Sequence, residues 1–369
     1  MPTPHALLLA LGLSLALAGC GEPEAIRLGF IGGLSGANAD LGTAGRNGVQ
    51  LAVEQANAAG GIKGRQLALM IKDDQLDPEQ GKRVTRELLN ANVAAILGPM
   101  TSAVATVAAP LASEAEVLMM AGTVSSESLS GQDDYFFRTI GSHVGHARAM
   151  AKYLAEARGV KSINLVLDLS NQAYSESWAK QFVAAFQEYG GSAQALVRFH
   201  SAPQTDYAAL ASQTVRGQPQ AVLLISSARD AALLINQLRQ LQPQALLATA
   251  EWAATDILLE LGGQAVEGVV VPHYMQLHST QPAVLAFQQA FAQRFGHPPG
   301  FAAMTTYNAT QVVLQVLAAQ KRGESLKQSL LRQREYAGLQ GPIRFDDFGD
   351  TQSPTYLTVI RKGRYDDVH

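Results

Sequence analysis

The sequence predicts an α/β protein made of two doubly wound lobes. From Ile26 onward, short apolar runs alternate with amphipathic stretches, which is the pattern of βαβ units and parallel sheets. The same alternation begins a second time after residue 140, and 369 residues are enough for two domains of ordinary size. No charged, proline-rich linker separates the two series. We therefore expect strand-like crossings between the lobes in place of a loose tether.

The elements of the first series follow from local patterns. A glycine-rich turn follows the first strand, and the next helix runs to about Ala58, where Gly60-Gly61 stops it. Asp77-Pro78-Glu79-Gln80 supplies an N-cap, a proline at the first helical position and a glutamine two residues after it. Ser102 is predicted to cap the following helix. The strands predicted here are Ile26 to Ile31, Leu67 to Lys72, Val93 to Leu97 and Val117 to Met120.

The second series begins after Arg138-Thr139-Ile140-Gly141. Its predicted strands are Ser162 to Leu167, Ala193 to Arg198, Ala221 to Ile225 and Leu246 to Ala250. Val269 to Pro272 is expected to cross back to the first lobe, which the helices around 283–295 and 301–319 then cover, and Tyr356 to Ile360 to cross again. The expected division is therefore 26–140 plus 270–345 for lobe 1, and 141–269 plus 346–369 for lobe 2.

The only cysteine, Cys20, closes the run Leu17-Ala18-Gly19-Cys20 behind an apolar stretch that is too short to span a bilayer. This arrangement is similar to a bacterial lipoprotein signal, although the leader has no Lys or Arg. We predict a signal peptide over residues 1–19, lipidation at Cys20 and a tether over residues 20–25. The protein is then expected outside the cytoplasmic membrane, anchored to a membrane surface by lipid alone.

Composition excludes several classes of protein. The 28 basic residues are balanced by 31 acidic ones, for a net charge of -3, and no basic run could follow a phosphate backbone, so no nucleic-acid partner is predicted. Hydrophobic residues make up 47% and charged residues 16%, as in a well-packed globular protein. With Cys20 assigned to the lipobox, no cysteine remains for a disulfide. No later segment reaches 18 uninterrupted apolar residues, so no second membrane pass is predicted.

The sequence offers no recognisable catalytic or cofactor motif. The glycines of Gly29 to Gly36 do not fit the dinucleotide-binding spacing, and this segment is interpreted as a plain strand-to-helix turn. Neither a P-loop nor a G-x-S-x-G elbow is present. His143 and His146 are three residues apart, but they have no recognisable third ligand, so solvated helix residues are favoured over a metal site. We predict no enzyme activity, no cofactor and no metal.

Hydroxyl side chains do gather where strands end. Ser102 follows one strand, and Thr123 and Ser125 follow the next. Ligands of open α/β sheets bind beyond such strand ends, where helix N-termini present free N–H groups and positive dipole ends. Each residue alone is typical of a cap or a turn. Together they predict a site for a small carboxylate.

Several segments, taken in order, are typical of one family. They are Ile26 to Gly36, Ala52 to Ile62, Asp73-Asp74 with Asp77-Pro78, Gly98-Pro99 with Ser102, and Thr306 to Ala309. In these segments the chain resembles the type I periplasmic binding proteins of the Leu/Ile/Val-binding family, the substrate-capturing subunits of ABC importers. The resemblance implies two Rossmann-like lobes joined by three crossing segments that close on a ligand.

The resemblance also implies roles for individual residues. Ser102 matches the serine that meets the ligand carboxylate, and Thr123 and Ser125 match neighbouring contacts to the same end of the ligand. Tyr174 matches a second-lobe tyrosine that lies over the ligand, and Glu251 matches the acidic residue that pairs with an α-ammonium. A carboxylate in a cleft needs a cation, so Glu251 favours a ligand that bears an amine. The alternative for Glu251 is a surface helix cap beside Trp252.

Two positions depart from the family pattern. Ser226-Ser227 stands where the amino-acid binders place a tyrosine, and Leu41 stands where they place an aromatic residue. Ser227 and Leu41 are therefore counted among the candidate ligand-binding residues. Leu41, Phe301 and Met304 could line an apolar pocket or belong to the core.

The sequence thus predicts an extracytoplasmic solute-binding lipoprotein of an ABC importer. It is expected to be a monomer that captures a small amino acid, branched-chain or similar, and presents it to the permease subunits. The alternatives are a ligand-sensing or regulatory protein of the same fold, or a binder of amides, urea or aromatic acids.

Overall fold

Two large β-sheets organise the chain in the computed structural model, which describes residues 24–368. The predicted signal peptide, Cys20 and most of the predicted tether lie outside the described residues. In chain order the strands are β1 Ile26–Gly32, β2 Leu67–Asp73, β3 Ala95–Leu97, β4 Leu118–Ala121, β5 Phe136–Arg138, β6 Ser162–Asp168, β7 Ser192–Phe199, β8 Ala221–Ile225, β9 Leu246–Thr249, β10 Val270–His273, β11 Glu335–Gly338, β12 Gly341–Arg344, β13 Tyr356–Arg361 and β14 Arg364–Asp367.

Helices occupy most of the connections between these strands. They are α1 Asp40–Ala58, α2 Pro78–Asn90, α3 Ser102–Glu114, α4 Val144–Lys152, α5 Gln172–Glu188, α6 Tyr207–Thr214, α7 Ala228–Leu241, α8 Asp256–Gly262, α9 Pro282–Phe295, α10 Phe301–Ala319 and α11 Leu326–Gln333. Short 3₁₀ turns cover Glu127–Leu129, Leu169–Asn171, Glu251–Ala253 and Gly263–Val266, and a π-helical turn, Tyr153–Ala157, extends α4. None of the helices within residues 24–368 is both long and apolar enough to cross a membrane.

The sheet of the first lobe has the strand order β2-β1-β3-β4-β5, and all its neighbouring strands are parallel. A parallel sheet is covered on both faces, which explains the continuous apolar runs in its strands. Ile31 and Ile96 pack with side chains of α2 and α3, whereas Phe30 and Leu97 belong to the core on the other face, with side chains of α1 and α10.

The sheet of the second lobe has the order β14-β13-β10-β9-β8-β6-β7. Strands β7, β6, β8, β9 and β10 run parallel to one another, whereas β13 is antiparallel to both β10 and β14. The chain passes between the two sheets three times: after β5, after β10 and before β13. Because β10 pairs inside the second sheet, the expected lobe boundary at residue 270 falls at the start of a strand of that sheet, and the chain leaves it after His273.

The predicted α/β class and two-lobe arrangement are confirmed. The strand limits lie within two residues of the predicted ones, and Asp77 caps α2 by accepting a hydrogen bond from the N–H of Gln80. The prediction that Ser102 caps this helix is wrong. It is the first residue of α3, whose N-cap is Thr101 in an extended conformation without a side-chain cap bond. The hydroxyl of Ser102 is therefore not used to cap its own helix.

Two glycines of α1 allow close packing near the cleft. A Cβ on Gly48 would lie 2.2 Å from the carbonyl oxygen of Ala303 in α10, and a Cβ on Gly42 would lie 2.0 Å from that of Gly33. Either contact is far below van der Waals distance, so only glycine fits. This packing brings the start of α1, with Leu41, close to the start of α10, with Phe301.

Candidate functional site

A small cavity of about 20 Å³ lies between the two lobes. It is bounded by elements that follow the carboxyl ends of strands β3, β4, β6 and β9, where ligands of parallel sheets bind. Crevices of about 120 to 540 Å³ exist elsewhere. The one of about 120 Å³ lies beside the connections after β5 and β10, and the two larger ones are not lined by strand ends of both lobes. The residues that line the cavity are Leu41, Met100, Thr101, Ser102, Thr123, Asn171, Tyr174, Glu251, Trp252, Tyr274 and Phe301.

One end of the cavity is formed by the N-terminus of α3. The first turn of a helix has N–H groups without intrahelical partners and carries the positive end of the helix dipole. The Ser102 hydroxyl lines the cavity here and accepts a hydrogen bond from the N–H of Ser126 at 3.3 Å. The Thr123 hydroxyl donates to the carbonyl of Met100 at 2.7 Å. Both predicted residues therefore lie at an end suited to a carboxylate.

Asn171 reaches this end from the other lobe. Its side-chain oxygen accepts a hydrogen bond from the N–H of Ala103, the second residue of α3, at 2.9 Å. The sequence analysis missed Asn171, although it follows strand β6 much as Ser102 follows strand β3. The N–H of Ala103 could donate a hydrogen bond to a ligand carboxylate, but here it donates to Asn171.

Glu251 forms the other end of the cavity, just after β9. It is only 4% exposed, which contradicts the alternative of a surface cap. Trp178 donates its indole N–H to Oε2 at 2.9 Å, and the Tyr274 hydroxyl donates to Oε1 at 3.1 Å. The Ser125 hydroxyl, from the first lobe, reaches Oε1 at 3.4 Å. Ser125 therefore contacts Glu251 and does not line the cavity itself.

His146 is the basic side chain in direct contact with this carboxylate. Its Nδ1 lies 3.2 Å from Oε2 of Glu251, without the angle of a hydrogen bond, and its ring centroid is 4.0 Å from that of Tyr274. Burial raises the pKa of Glu251. The contact with His146 and the proximity of His143 lower it by more, and the pKa falls to about 2. Glu251 is therefore ionised at neutral pH.

The prediction that His143 and His146 are solvated helix residues is wrong. Both are buried where α4 packs on α5. Nε2 of His143 lies 3.0 Å from the hydroxyl of Ser177. Burial lowers the pKa of His143 to about 4 and that of His273, at the end of β10, to about 3, so both rings are neutral near pH 7. Only the tertiary arrangement gathers these imidazoles behind Glu251.

Aromatic and aliphatic groups cover the middle of the cavity. Tyr174 packs edge-on against Trp252 at 5.9 Å between ring centroids, and its buried hydroxyl has no hydrogen-bond partner. Leu41 and Phe301 line the cavity and also belong to the buried hydrophobic core, so the two expectations for them are not exclusive. Met304 instead belongs to a core cluster with side chains of α9. The unpartnered hydroxyl of Tyr174 is available to a polar group of a ligand.

Ser227 does not lie with the other candidates. It is the N-cap of α7, where its hydroxyl accepts a hydrogen bond from the N–H of Asp230 at 3.2 Å and donates to the carboxylate of Asp230 at 2.8 Å. It is not among the residues that line the cavity. The placement of Ser227 in the ligand site is therefore corrected: its hydroxyl is used within its own helix.

The cavity combines a carboxylate at one end with a helix N-terminus and hydroxyl groups at the other, and apolar side chains lie between them. This arrangement complements a small zwitterion with an apolar substituent. Within residues 24–368, no three side chains among His, Cys, Asp and Glu are grouped as a bound metal ion would require.

Comparisons with known proteins agree with this geometry. The family described as "Periplasmic binding protein" matches residues 25–364. A leucine-, isoleucine-, valine-, threonine- and alanine-binding protein of Pseudomonas aeruginosa is 26% identical over 334 residues, which cover 89% of this chain and 88% of that protein. The crystal structure of a leucine-binding protein from Thermotoga maritima superposes with a TM-score of 0.85 at 22% identity, covering 94% of this chain and 98% of that one.

A third comparison concerns a different ligand class. The solute-binding protein of an ABC transporter from R. palustris, solved in complex with benzoate, superposes with a TM-score of 0.83 at 20% identity. The match covers 93% of this chain and 95% of that one. At this identity the likeness concerns the fold alone.

Proposed function

Since this chain belongs to the type I periplasmic binding proteins of the branched-chain amino acid family, we propose that it captures a small amino acid between its lobes and delivers it to an ABC permease. In this proposal the chain acts as a monomer and by binding alone, without catalysis. Lobe closure around the ligand is the form that the permease recognises.

The observation that carries the proposal is the position of Glu251 opposite the N-terminus of α3 across one cavity. A buried ionised carboxylate next to a ligand site attracts a cation, and a helix N-terminus with a serine hydroxyl attracts an anion. An amino acid supplies both charges. The cavity has a volume of about 20 Å³, which is room for about one water molecule, so the lobes must open or shift before an amino acid can enter.

The residues between the two ends support an apolar or small side chain on the ligand. Leu41, Met100, Phe301 and Trp252 provide hydrophobic surface there. The curated relative from Pseudomonas aeruginosa is named for leucine, isoleucine, valine, threonine and alanine. We extend that ligand class, small and mostly apolar amino acids, to this chain.

The experiment that tests the proposal compares Glu251→Gln with the wild type. Isothermal titration with L-leucine, L-valine and L-alanine, and with the 2-hydroxy acid analogue of each, gives affinities for ligands that differ only in the amine. Loss of the charge should cost about 2 to 5 kcal/mol for the amino acid, or roughly 30-fold or more in affinity. It should cost little for the hydroxy acid. Equal affinities of the two proteins for the amino acid would contradict the assignment.

Aromatic carboxylic acids are the second candidate. Trp178, Tyr274 and Ser125 already donate to Glu251, and a ligand without an amine would leave those bonds intact. Tyr174, Trp252 and other aromatic side chains line the cavity. The protein from R. palustris carries benzoate in this fold. Tighter binding of benzoate than of any amino acid in the same titrations would establish this candidate in place of the first.

The proposed location is outside the cytoplasmic membrane, with lipid on Cys20. It is supported by the run Leu17-Ala18-Gly19-Cys20. The full-length wild type should partition into the detergent phase of a Triton X-114 extraction. Cys20→Ser should leave a folded protein in the aqueous phase, and a Ser variant that still partitions with detergent would overturn lipidation.

A further inference from the structure

Glu251 already has a basic partner inside the protein. Taking a carboxylate out of water is unfavourable unless an opposite charge lies close by. Among the described residues, the basic side chain in direct contact with Glu251 is His146, at 3.2 Å. Arg138, also buried, is bound to Asp350 at 2.7 Å and to the carbonyl of Ser126 at 2.9 Å. It has partners of its own at the connection between the lobes.

We propose that His146 is the exchangeable counter-ion of Glu251: the imidazolium neutralises the carboxylate in the empty cavity, and the ammonium of an amino acid takes its place. The N–H proton of the imidazolium then passes to solvent as the ligand binds. His146 thereby determines ligand class in a pH-dependent manner. This inference rests on the proposed function of the cavity, because it requires a ligand that carries an amine.

The other titratable groups around His146 do not compete for this role. On the N-terminal side of α4, His143 is neutral, and from β10 and the residue after it come His273, also neutral, and Tyr274. Helix α5 contributes Tyr174. Burial raises the pKa of Tyr174 and of Tyr274 well above the usual range, so both hydroxyls stay protonated.

The more distant charges lie on the outside of the same elements. Arg148 of α4 pairs with Glu188 of α5, and both side chains are more than half exposed. Lys152, at the end of α4, is also exposed and lies 4.0 Å from Glu156. Strand β13 packs on α4 as well, but within the described residues its Tyr356 and Arg361 make no hydrogen bond or ion pair with Glu251 or His146. His146 is thus the basic side chain that faces the carboxylate.

The exchange follows from like-charge repulsion in a buried site. An ammonium that approaches Glu251 from the cavity comes within a few ångströms of the His146 ring, and one carboxylate cannot neutralise two cations. In the proposed exchange the imidazole ring gives up its proton and stays in place as a neutral group, whereas the amino acid keeps its ammonium. A hydroxy acid brings no second cation, so the pair stays intact.

Calorimetry of the wild type tests the proton release directly. L-leucine and its 2-hydroxy acid analogue are titrated at several pH values from 5 to 8, each in two buffers that both buffer at that pH but differ in ionisation enthalpy: acetate and MES at the acid end, phosphate and Tris near pH 7.5. The difference in heat between the two buffers counts the protons released. L-leucine should release up to one proton at the acid end of this range, and its affinity relative to the hydroxy acid should rise with pH by at most tenfold per unit. Absence of both effects would overturn the proposal.

Two variants assign the proton to a residue. His146→Gln should release no proton and should show a pH-independent preference between the two ligands, whereas His297→Gln, at an exposed ring, should behave as the wild type. If His146→Gln does not fold, the buffer dependence of the wild type still decides whether a proton leaves. Proton release that persists in His146→Gln would also overturn the assignment.

Failure of L-leucine, L-valine and L-alanine alike to bind would contradict the proposed function itself, whereas binding without proton release contradicts only this inference.

Discussion

The side-chain oxygen of Asn171 accepts a hydrogen bond from the backbone N–H of Ala103 across the cleft, at 2.9 Å. Further contacts join the two lobes beside it. The Ser126 hydroxyl donates to the carbonyl of Ala173 at 2.7 Å, and the hydroxyl of Thr255 donates to Asp40 at 2.6 Å. Groups of the protein itself therefore hold the cleft shut. Asn171 accepts the hydrogen bond that the N–H of Ala103 could otherwise donate to a ligand carboxylate.

Replacing Asn171 with alanine should open the ligand-free protein. A single hydrogen bond contributes about 1 kcal/mol, so its loss should change the ratio of open to closed molecules about fivefold. The measurement is the radius of gyration from small-angle X-ray scattering, with and without ligand. Asn171→Asp keeps an acceptor oxygen and should remain as closed as the wild type. An unchanged radius for Asn171→Ala would show that this contact does not hold the lobes together.

Ser102→Ala should weaken ligand binding by roughly one to two orders of magnitude, because a hydrogen bond to a charged group contributes about 1.5 to 3 kcal/mol. Stability should change by only about 1 kcal/mol, since the hydroxyl accepts one bond, from the N–H of Ser126. Ser113→Ala is the matched control: it lies on the same helix and also loses one bond from a backbone N–H, that of Tyr135. Titration calorimetry decides, and equal affinities for all three proteins would place Ser102 outside the site.

Asp74 should make stability fall as the pH rises. Its side chain is fully buried, one carboxylate oxygen has no partner, and burial raises its pKa from 3.8 to about 7. Between these values the folded protein holds a proton that the unfolded chain has lost, so this group stabilises the fold less as the pH rises through that window. Asp74→Asn should therefore gain stability relative to the wild type on going from pH 4 to pH 7.5. Urea unfolding at both values checks this, and a difference that is independent of pH would contradict it.

Tryptophan emission should report ligand binding. The chain has two tryptophans: Trp252 lines the cavity, and Trp178 donates to Glu251. Trp252→Phe should remove most of the emission change on titration with ligand. Trp178→Phe should keep that change but bind more weakly, because Glu251 loses one of its donors. A full emission change in Trp252→Phe would mean that the ligand does not approach Trp252.

The fold could be predicted because its signals are local. Apolar runs mark the strands of both sheets, and Asp77-Pro78 marks the start of α2. Ser102, Thr123 and Glu251 follow strand ends, and parallel strands bring such positions to one edge of a sheet. The structure accordingly places these three side chains around one cavity, and their role in binding stays a prediction.

The remaining contacts depend on how distant segments pack. From the sequence, His146 is predicted to be a polar helix residue on the surface. It contacts Glu251 because α4 packs on α5, and local sequence does not reveal that packing. Tyr274 follows β10, and its hydroxyl meets Glu251 because β10 pairs beside β9 in the second sheet. Ser227 is the opposite case. A serine after a strand can bind a ligand or cap a helix, and the Ser227 hydroxyl caps α7. Local sequence does not distinguish these cases.

The three connections between the sheets have a consequence for how the molecule can be divided. A cut after β5 separates residues 24–140, with the whole first sheet, from residues 141–368, with the second sheet and helices α9 to α11. Helix α10 of the larger fragment still packs on α1 of the smaller one, where Gly48 lies against the backbone of Ala303. Limited proteolysis at this site should therefore leave a nicked complex that elutes as one particle. The two pieces, produced as separate chains, should reassemble by complementation into a working receptor.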